Sequence, residues 1–231
     1  MNAPVLAEAT IAPSDHQSAV QMVMPLAGES SHVNYSDEDP RYDTYDWQDV
    51  NSGKWSRFAV ASSQFIYAPK DGWFVYGLFG PIEAVKYDFN SKYKLWGGRH
   101  NGIDFATPIG TPVIAALAGK VIFAGNSAGQ TLVVQNGNLQ ITYAHLNKFL
   151  VKVGEGVEQG RVIAKSGKSG ALSPHLHFQI DELRGTELWA INPVKYLRPE
   201  LEKAIVPNVP ANRYINGNLP DWETPAEDFR W

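Results

Sequence analysis

The sequence of 231 residues contains no cysteine. Disulfides and thiolate metal sites are therefore excluded, and any transition metal must be held by imidazole and carboxylate. Long apolar runs are also missing, and no window could span a bilayer as a helix. Charge of either sign is in short supply: 20 basic against 24 acidic residues leave a net charge of −4. That balance offers no electrostatic footprint for nucleic acid or for an anionic membrane. Helical periodicity is weak throughout, Pro199 to Ile205 being the best candidate. The N-terminus, Met1 to Thr10, lacks the basic start and apolar run of a secretory signal, so the expectation is a protein made without a signal peptide.

What is present points to strands and turns. Twenty glycines, fifteen prolines and 12% aromatic residues suit a turn-rich β fold, and 44% hydrophobic residues suffice for a real core. Residues 1–57 read as an irregular N-terminal arm, broken by Pro4, Pro13, Pro25 and Pro40. Its densest acidic run is Asp37-Glu38-Asp39, interleaved with Tyr35, Tyr42, Tyr45 and Trp47. Such an arm is either a loosely ordered tail or a segment that docks on its own domain or on a partner. Residues 198–231 read as a Pro-rich C-terminal arm.

Between the arms, residues 58–197 carry the strand signals. Phe58 to Ala61, Gln64 to Tyr67 and Trp73 to Phe79 are β-prone, and residues 82–96 form a loop or hairpin. Gln130 to Gln135, the Asn136-Gly137 turn and Leu139 to Ala144 make the clearest hairpin. Gly119 to Gly125 and Gly160 to Gly167 resemble each other, and each follows a Gly-x-x-Val turn, at Gly110 and at Gly154. The fold class expected is mainly β, a compact antiparallel sheet core with duplicated hairpins, flanked by the two irregular arms.

The chemistry centres on Ser166 to Ile180, where a Gly/Ser-rich loop runs through Pro174 into an extended segment. Side chains alternate along a strand, so His175 and His177 face one cleft while Leu176 and Phe178 pack behind. His100 and Asp104, four residues apart, would share a face in an extended segment, and His145 ends a predicted strand. His16 and His32 lie in the arm. A His/Asp/His site with its fourth position open is the pattern of catalytic zinc, and Ca²⁺ or Mg²⁺ would want more oxygens. Two histidines then remain for proton transfer, since imidazole titrates near neutrality and zinc lowers the pKa of its water to about 7.

Five motifs in order, His100-Asn-Gly-Ile-Asp104, Gly110-Thr-Pro-Val113, Tyr143-Ala-His145-Leu, His175-Leu-His177-Phe and Asn192-Pro-Val-Lys-Tyr-Leu197, resemble the lysostaphin-type zinc endopeptidases. That resemblance covers about Trp73 to Leu197. It implies cleavage of peptide bonds in bacterial peptidoglycan, one Zn²⁺ per chain on His100, Asp104 and His177, and an unliganded catalytic pair, His145 and His175. It further implies that one histidine, for which His175 is favoured, deprotonates the attacking water, while His145 bonds the oxyanion or protonates the leaving amine. The region ahead of His100 matches the family only loosely, with Phe79-Gly80 the best candidate. The loops bounding the groove, including residues 82–96 and 166–174, set substrate choice and do not transfer, which leaves the scissile bond open.

Two other readings compete: a histidine phosphocarrier-like domain, which would be metal-free, and a catalytically idle structural or assembly protein on the same fold. Reaching the wall without an export signal suggests carriage in a bacteriophage particle or release at lysis. The arms would then anchor to other virion proteins.

Overall fold

The computed structural model describes residues 20–29, 72–77, 79–81, 99–171, 174–197, 201 and 227–230. The aromatic stretch of the N-terminal arm, the strands expected at 58–67, the loop or hairpin expected at 82–96, all but residue 201 of the helix expected at 199–205, and most of the C-terminal arm lie outside these residues.

The architecture is mainly β and antiparallel, as the alternating pattern and turn chemistry require. Its spine is the largest sheet, in which β1 (Phe74–Gly77), β4 (Ile103–Ala106), β12 (His175–Arg184), β8 (Leu139–Ala144), β7 (Gly129–Asn136), β6 (Gly119–Ser127) and β10 (Gly156–Val157) follow one another. The ten-residue β12 is central. Its first half pairs with β4 and its second half with β13 (Glu187–Ile191), while β8 runs along its other side. The Asn136-Gly137 turn closes the β7–β8 hairpin with Gly137 at φ 57°, a left-handed value that glycine adopts without strain.

Strand alternation divides the faces of this sheet. Leu176, Phe178 and Ile180 of β12 register with Phe105 and Ile103 of β4 and with Tyr143 and Ile141 of β8, and all seven are fully buried. They form the main core, which Leu132, Val134 and Val121 extend outward. A three-stranded sheet of β5 (Pro112–Ile114), β11 (Val162–Ser166) and β9 (Leu146–Phe149) adds Val113, Ile163 and Leu146 to the same core. Even the Tyr143 hydroxyl is used inside, accepting from Ala116 N–H at 2.8 Å, and burial pushes its pKa up.

The two similar Gly-x-x-Val units interlock. β5, from the first unit, pairs with β11 of the second, and β10 of the second pairs with β6 of the first. Each unit thus covers the other's sheet edge and stitches the two sheets together.

Short pieces of both arms are built into this body. Residues 23–27 lie along β5 through hydrogen bonds from Val23 N to Ala116 O, Ile114 N to Pro25 O and Ala27 N to Pro112 O. Met22 and Leu26 are buried there. At the other end β14 (Phe229–Arg230) pairs with β13, and Asp228 accepts from Asn192 N–H at 3.0 Å and Lys195 Nζ at 2.7 Å. Asn192 also caps the helical turn at 194–197, its Oδ1 accepting from Val194 N–H at 3.1 Å, with Pro193 preset at the first position.

Candidate metal centre and catalytic histidines

The face of β12 opposite the core carries His175, His177, Gln179 and Asp181, all at alternate positions and all buried. His177 is paired directly with Asp104 of β4, and His175 with Ala106. Asp104 Oδ1 lies 2.8 Å from His177 Nδ1. His100 arrives differently from the single extended run that the sequence suggests. It ends β3 (Arg99–His100), which pairs with β2 (Gly80–Pro81), and the chain turns at Asn101-Gly102 before β4 begins. The turn still brings His100 Nε2 to 3.3 Å from Asp104 Oδ1 and 3.2 Å from His177 Nδ1.

Two glycines let these side chains converge. A Cβ on Gly77, opposite Asp104 in the β1–β4 ladder, would stand 2.9 Å from Asp104 Cβ and 3.0 Å from its Oδ2. A Cβ on Gly102 would stand 2.4 Å from Phe178 O and 2.8 Å from His177 Cε1. Both the carboxylate and the imidazole therefore rest against bare backbone.

Three ligand atoms separated by 2.8, 3.2 and 3.3 Å form a nearly equilateral triangle. Tetrahedral zinc with bonds of about 2.0–2.1 Å needs ligand atoms about 3.3 Å apart. The donor set fits in kind as well as size: two imidazole nitrogens and one carboxylate oxygen, with no thiolate and too few oxygens for Ca²⁺. Burial alone would raise the Asp104 pKa, but the neighbouring His100 and His175, with hydrogen bonds from His100 and His177, hold it well below the usual carboxylate value. Asp104 is thus an anion poised among imidazoles.

His145 and His175 complete the cluster without joining the triangle. Their ring centroids are 4.4 Å apart, and His175 Nε2 stands 3.9 Å from Asp104 Oδ1. His145 occupies the single residue between β8 and β9, where the chain leaves one sheet for the other. Its φ of 60° is left-handed, and it is the only such non-glycine among the described residues. Strain of this kind persists only where surroundings enforce it. Here Ser169 does so: its carbonyl accepts from His145 Nδ1–H at 2.9 Å, and its Oγ accepts from Gln130 N–H at 2.8 Å and donates to Leu146 O at 2.8 Å. Gly129, at φ 66°, lies so close that a Cβ would stand 2.0 Å from Ser169 O. Burial, then the proximity of His175 and His177, lowers the His145 pKa to about 3, so the ring is neutral at rest.

All five residues expected from the sequence, His100, Asp104, His145, His175 and His177, meet in this one cluster. The sequence reading passed over Gln179, Asp181 and Asn101, which bond to it. The first two carried a signal, since the alternation that paired His175 with His177 runs on to 179 and 181. Ser169 and Gly129 carried none, because a loop's contact with a distant strand end has no local pattern.

Comparison with known proteins agrees with this geometry. Residues 98–193 match peptidase family M23. The lipoprotein YgeR of Escherichia coli K12 is 41% identical over 115 residues, covering 48% of this chain and 44% of that protein. Peptidoglycan DD-endopeptidase ShyA of Vibrio cholerae is 47% identical over 85 residues, covering 35% and 20% respectively. Lysostaphin of Staphylococcus simulans is 45% identical over 89 residues, covering 36% and 18%. The chain spans less than half the length of these curated relatives.

Proposed function

We propose that the protein is a zinc-dependent endopeptidase that hydrolyses peptide cross-links of bacterial peptidoglycan. The observation that carries this reading is the triangle of His100 Nε2, Asp104 Oδ1 and His177 Nδ1, with edges of 2.8–3.3 Å and two further buried histidines beside it. The similarity to ShyA, a peptidoglycan DD-endopeptidase, supports the substrate class.

Bound zinc supplies Lewis acidity towards a carbonyl oxygen and towards water. The remaining work falls to the chain. His100, Asp104 and His177 offer two neutral donors and one anion, a set that leaves a dication with residual positive charge. His145 has its Nδ1–H committed to Ser169 O, so its Nε2 carries a lone pair. With burial holding its pKa near 3 it is a weak base, suited to passing a proton on to the leaving amine rather than to taking one from water. His175, beside it and 3.9 Å from Asp104 Oδ1, is the histidine we favour for deprotonating the attacking water and handing that proton on. An open hollow of about 470 Å³ borders the Ser169 loop, and Gln130, Asn147 and Lys168 in its walls offer polar contacts to a peptide.

A phosphocarrier role is disfavoured by the buried Asp104 carboxylate, which would repel a phosphoryl group on either neighbouring histidine.

Carriage in a phage particle, or release at lysis, is a further part of the proposal. The composition of the arms supports it, because aromatic and Pro-rich segments suit anchoring to other virion proteins. Protein analysis of purified particles tests it; finding the protein instead in the periplasm of uninfected cells would overturn it. The main test is mass spectrometry of peptidoglycan digested with zinc-loaded and zinc-stripped enzyme. New peptide termini with the loaded enzyme alone are expected, and intact cross-links in both samples would reject the reading.

A further inference from the structure

The polar row on β12 continues past the ligands, and its hydrogen bonds have a direction. Gln179 Nε2 lies 2.6 Å from Asp181 Oδ2, and Gln179 Oε1 lies 2.6 Å from Asn101 Nδ2 and 3.3 Å from His177 Nε2. Gln179 Nε2 donates to Asp181 Oδ2, so the end of the Gln179 amide that faces Asp181 is its NH₂. The opposite end is then the carbonyl oxygen, which only accepts. Asn101 Nδ2 donates to that oxygen and reinforces the same orientation. His177 can meet it only with a proton on Nε2. An imidazole with its single proton on Nε2 has a bare lone pair on Nδ1, and Nδ1 is the atom in the ligand triangle.

We propose that Gln179, oriented by Asp181 and Asn101, is a positioning residue that fixes the His177 tautomer and so presents Nδ1 to the metal. The inference rests on the zinc reading of the triangle and adds to it a polarity relay of three side chains. The relay is needed because the ligand side alone pulls the other way. Without a metal, Asp104 Oδ1 at 2.8 Å from Nδ1 favours a proton on that nitrogen, in competition with a cation. Gln179 rewards the tautomer that leaves Nδ1 bare. Partners of this kind, on the far nitrogen of a ligating imidazole, raise its basicity and hold its ring plane. All of the relay is buried: Asn101, Gln179 and Asp181 are between 3% and 8% exposed. Water therefore cannot readily substitute for a missing partner.

The test is zinc affinity, measured by chelator competition on the full chain, for the wild type, Gln179→Leu, Asp181→Asn and the double variant Gln179→Glu/Asp181→Asn. Loss of the acceptor in Gln179→Leu is expected to weaken zinc binding about 10- to 100-fold. Asp181→Asn, which lets the Gln179 amide turn over, should fall between that and the wild type. The double variant reverses the outer link but keeps an acceptor on His177, and should bind zinc within a few-fold of the wild type. NMR of the zinc-loaded protein gives a second readout, an exchange-protected His177 Nε2–H in the wild type and double variant that is lost in Gln179→Leu. Wild-type zinc affinity in Gln179→Leu, or equal weakening in all three variants in step with their zinc-free unfolding temperatures, would overturn the relay. A wild type that binds no zinc would instead reject the metal site itself.

Discussion

Asp104 and His177 face each other as directly paired residues across the β4–β12 ladder, with Asp104 Oδ1 2.8 Å from His177 Nδ1. Sheet register thus brings together two ligands that are 73 positions apart in sequence. Asp104 is also the only anion in the triangle. Asp104→Asn keeps the shape but removes the charge, and should abolish zinc retention on dialysis while the zinc-free fold persists. Metal content by atomic emission, with circular dichroism as the control, measures both.

His145→Ala should separate metal binding from catalysis. The ring lies outside the triangle, so zinc content should match the wild type, whereas cross-link hydrolysis should fall by about 100- to 10,000-fold, the usual worth of a general acid–base group. His177→Ala should lose zinc and activity together. Wall-lytic activity surviving in both variants would sink the mechanism.

Gly129 is not one of the ligand residues, yet its substitution should reach His145. Alanine there needs a left-handed φ of 66° and puts a Cβ 2.0 Å from Ser169 O, the acceptor for His145 Nδ1–H. We expect Gly129→Ala to cost about 1–3 kcal/mol of stability and to lower hydrolysis at unchanged zinc content. Chemical denaturation and turnover of a cross-linked muropeptide are the two readouts.

The pH dependence of stability follows from His145. Its pKa falls from 6.5 to about 3 on folding. Above pH 6.5 the ring is neutral in both states and contributes no slope. As pH falls from 6.5 towards 3 the unfolded chain takes up a proton that the native chain refuses, so stability declines, by at most about 1.4 kcal/mol per pH unit. His145→Gln should flatten this part of the zinc-free stability profile. Identical profiles for the two proteins would show that His145 is not buried as a neutral ring.

Phe229 links the C-terminal segment to a ligand strand. It packs on Phe79 at 5.2 Å between ring centroids, and Arg99 stacks over it at 5.1 Å. Phe79 precedes β2, whose Gly80 is paired with His100. Phe229→Ala should cost about 3 kcal/mol and speed zinc loss to a chelator by loosening the strand behind His100. An unchanged zinc off-rate would place that strand under other control.

The strands were legible wherever alternation and turn chemistry were local. The β7–β8 hairpin and the shared face of His175 and His177 follow from period two and from an Asn-Gly turn. The built-in pieces of the arms were not legible. Leu26 bridges to Val113 and Phe229 pairs with Ala190, and each contact is decided by an exposed edge elsewhere in the chain. The two Gly-x-x-Val units were visible as similar sequences, but their exchange of partners between sheets was not.

The sequence by itself determined the chemistry available: no thiol, four histidines and an aspartate at strand spacings, and the ordered motifs of one family. Only the tertiary structure decided which atoms do the work. Register set Asp104 against His177, the turn at Gly102 brought in His100, and Ser169 and Gln179 chose which nitrogen of His145 and of His177 keeps its proton. The physical reason is that an imidazole's two nitrogens are equivalent in sequence and become distinct only through their partners, and those partners come from loops and strands far away along the chain.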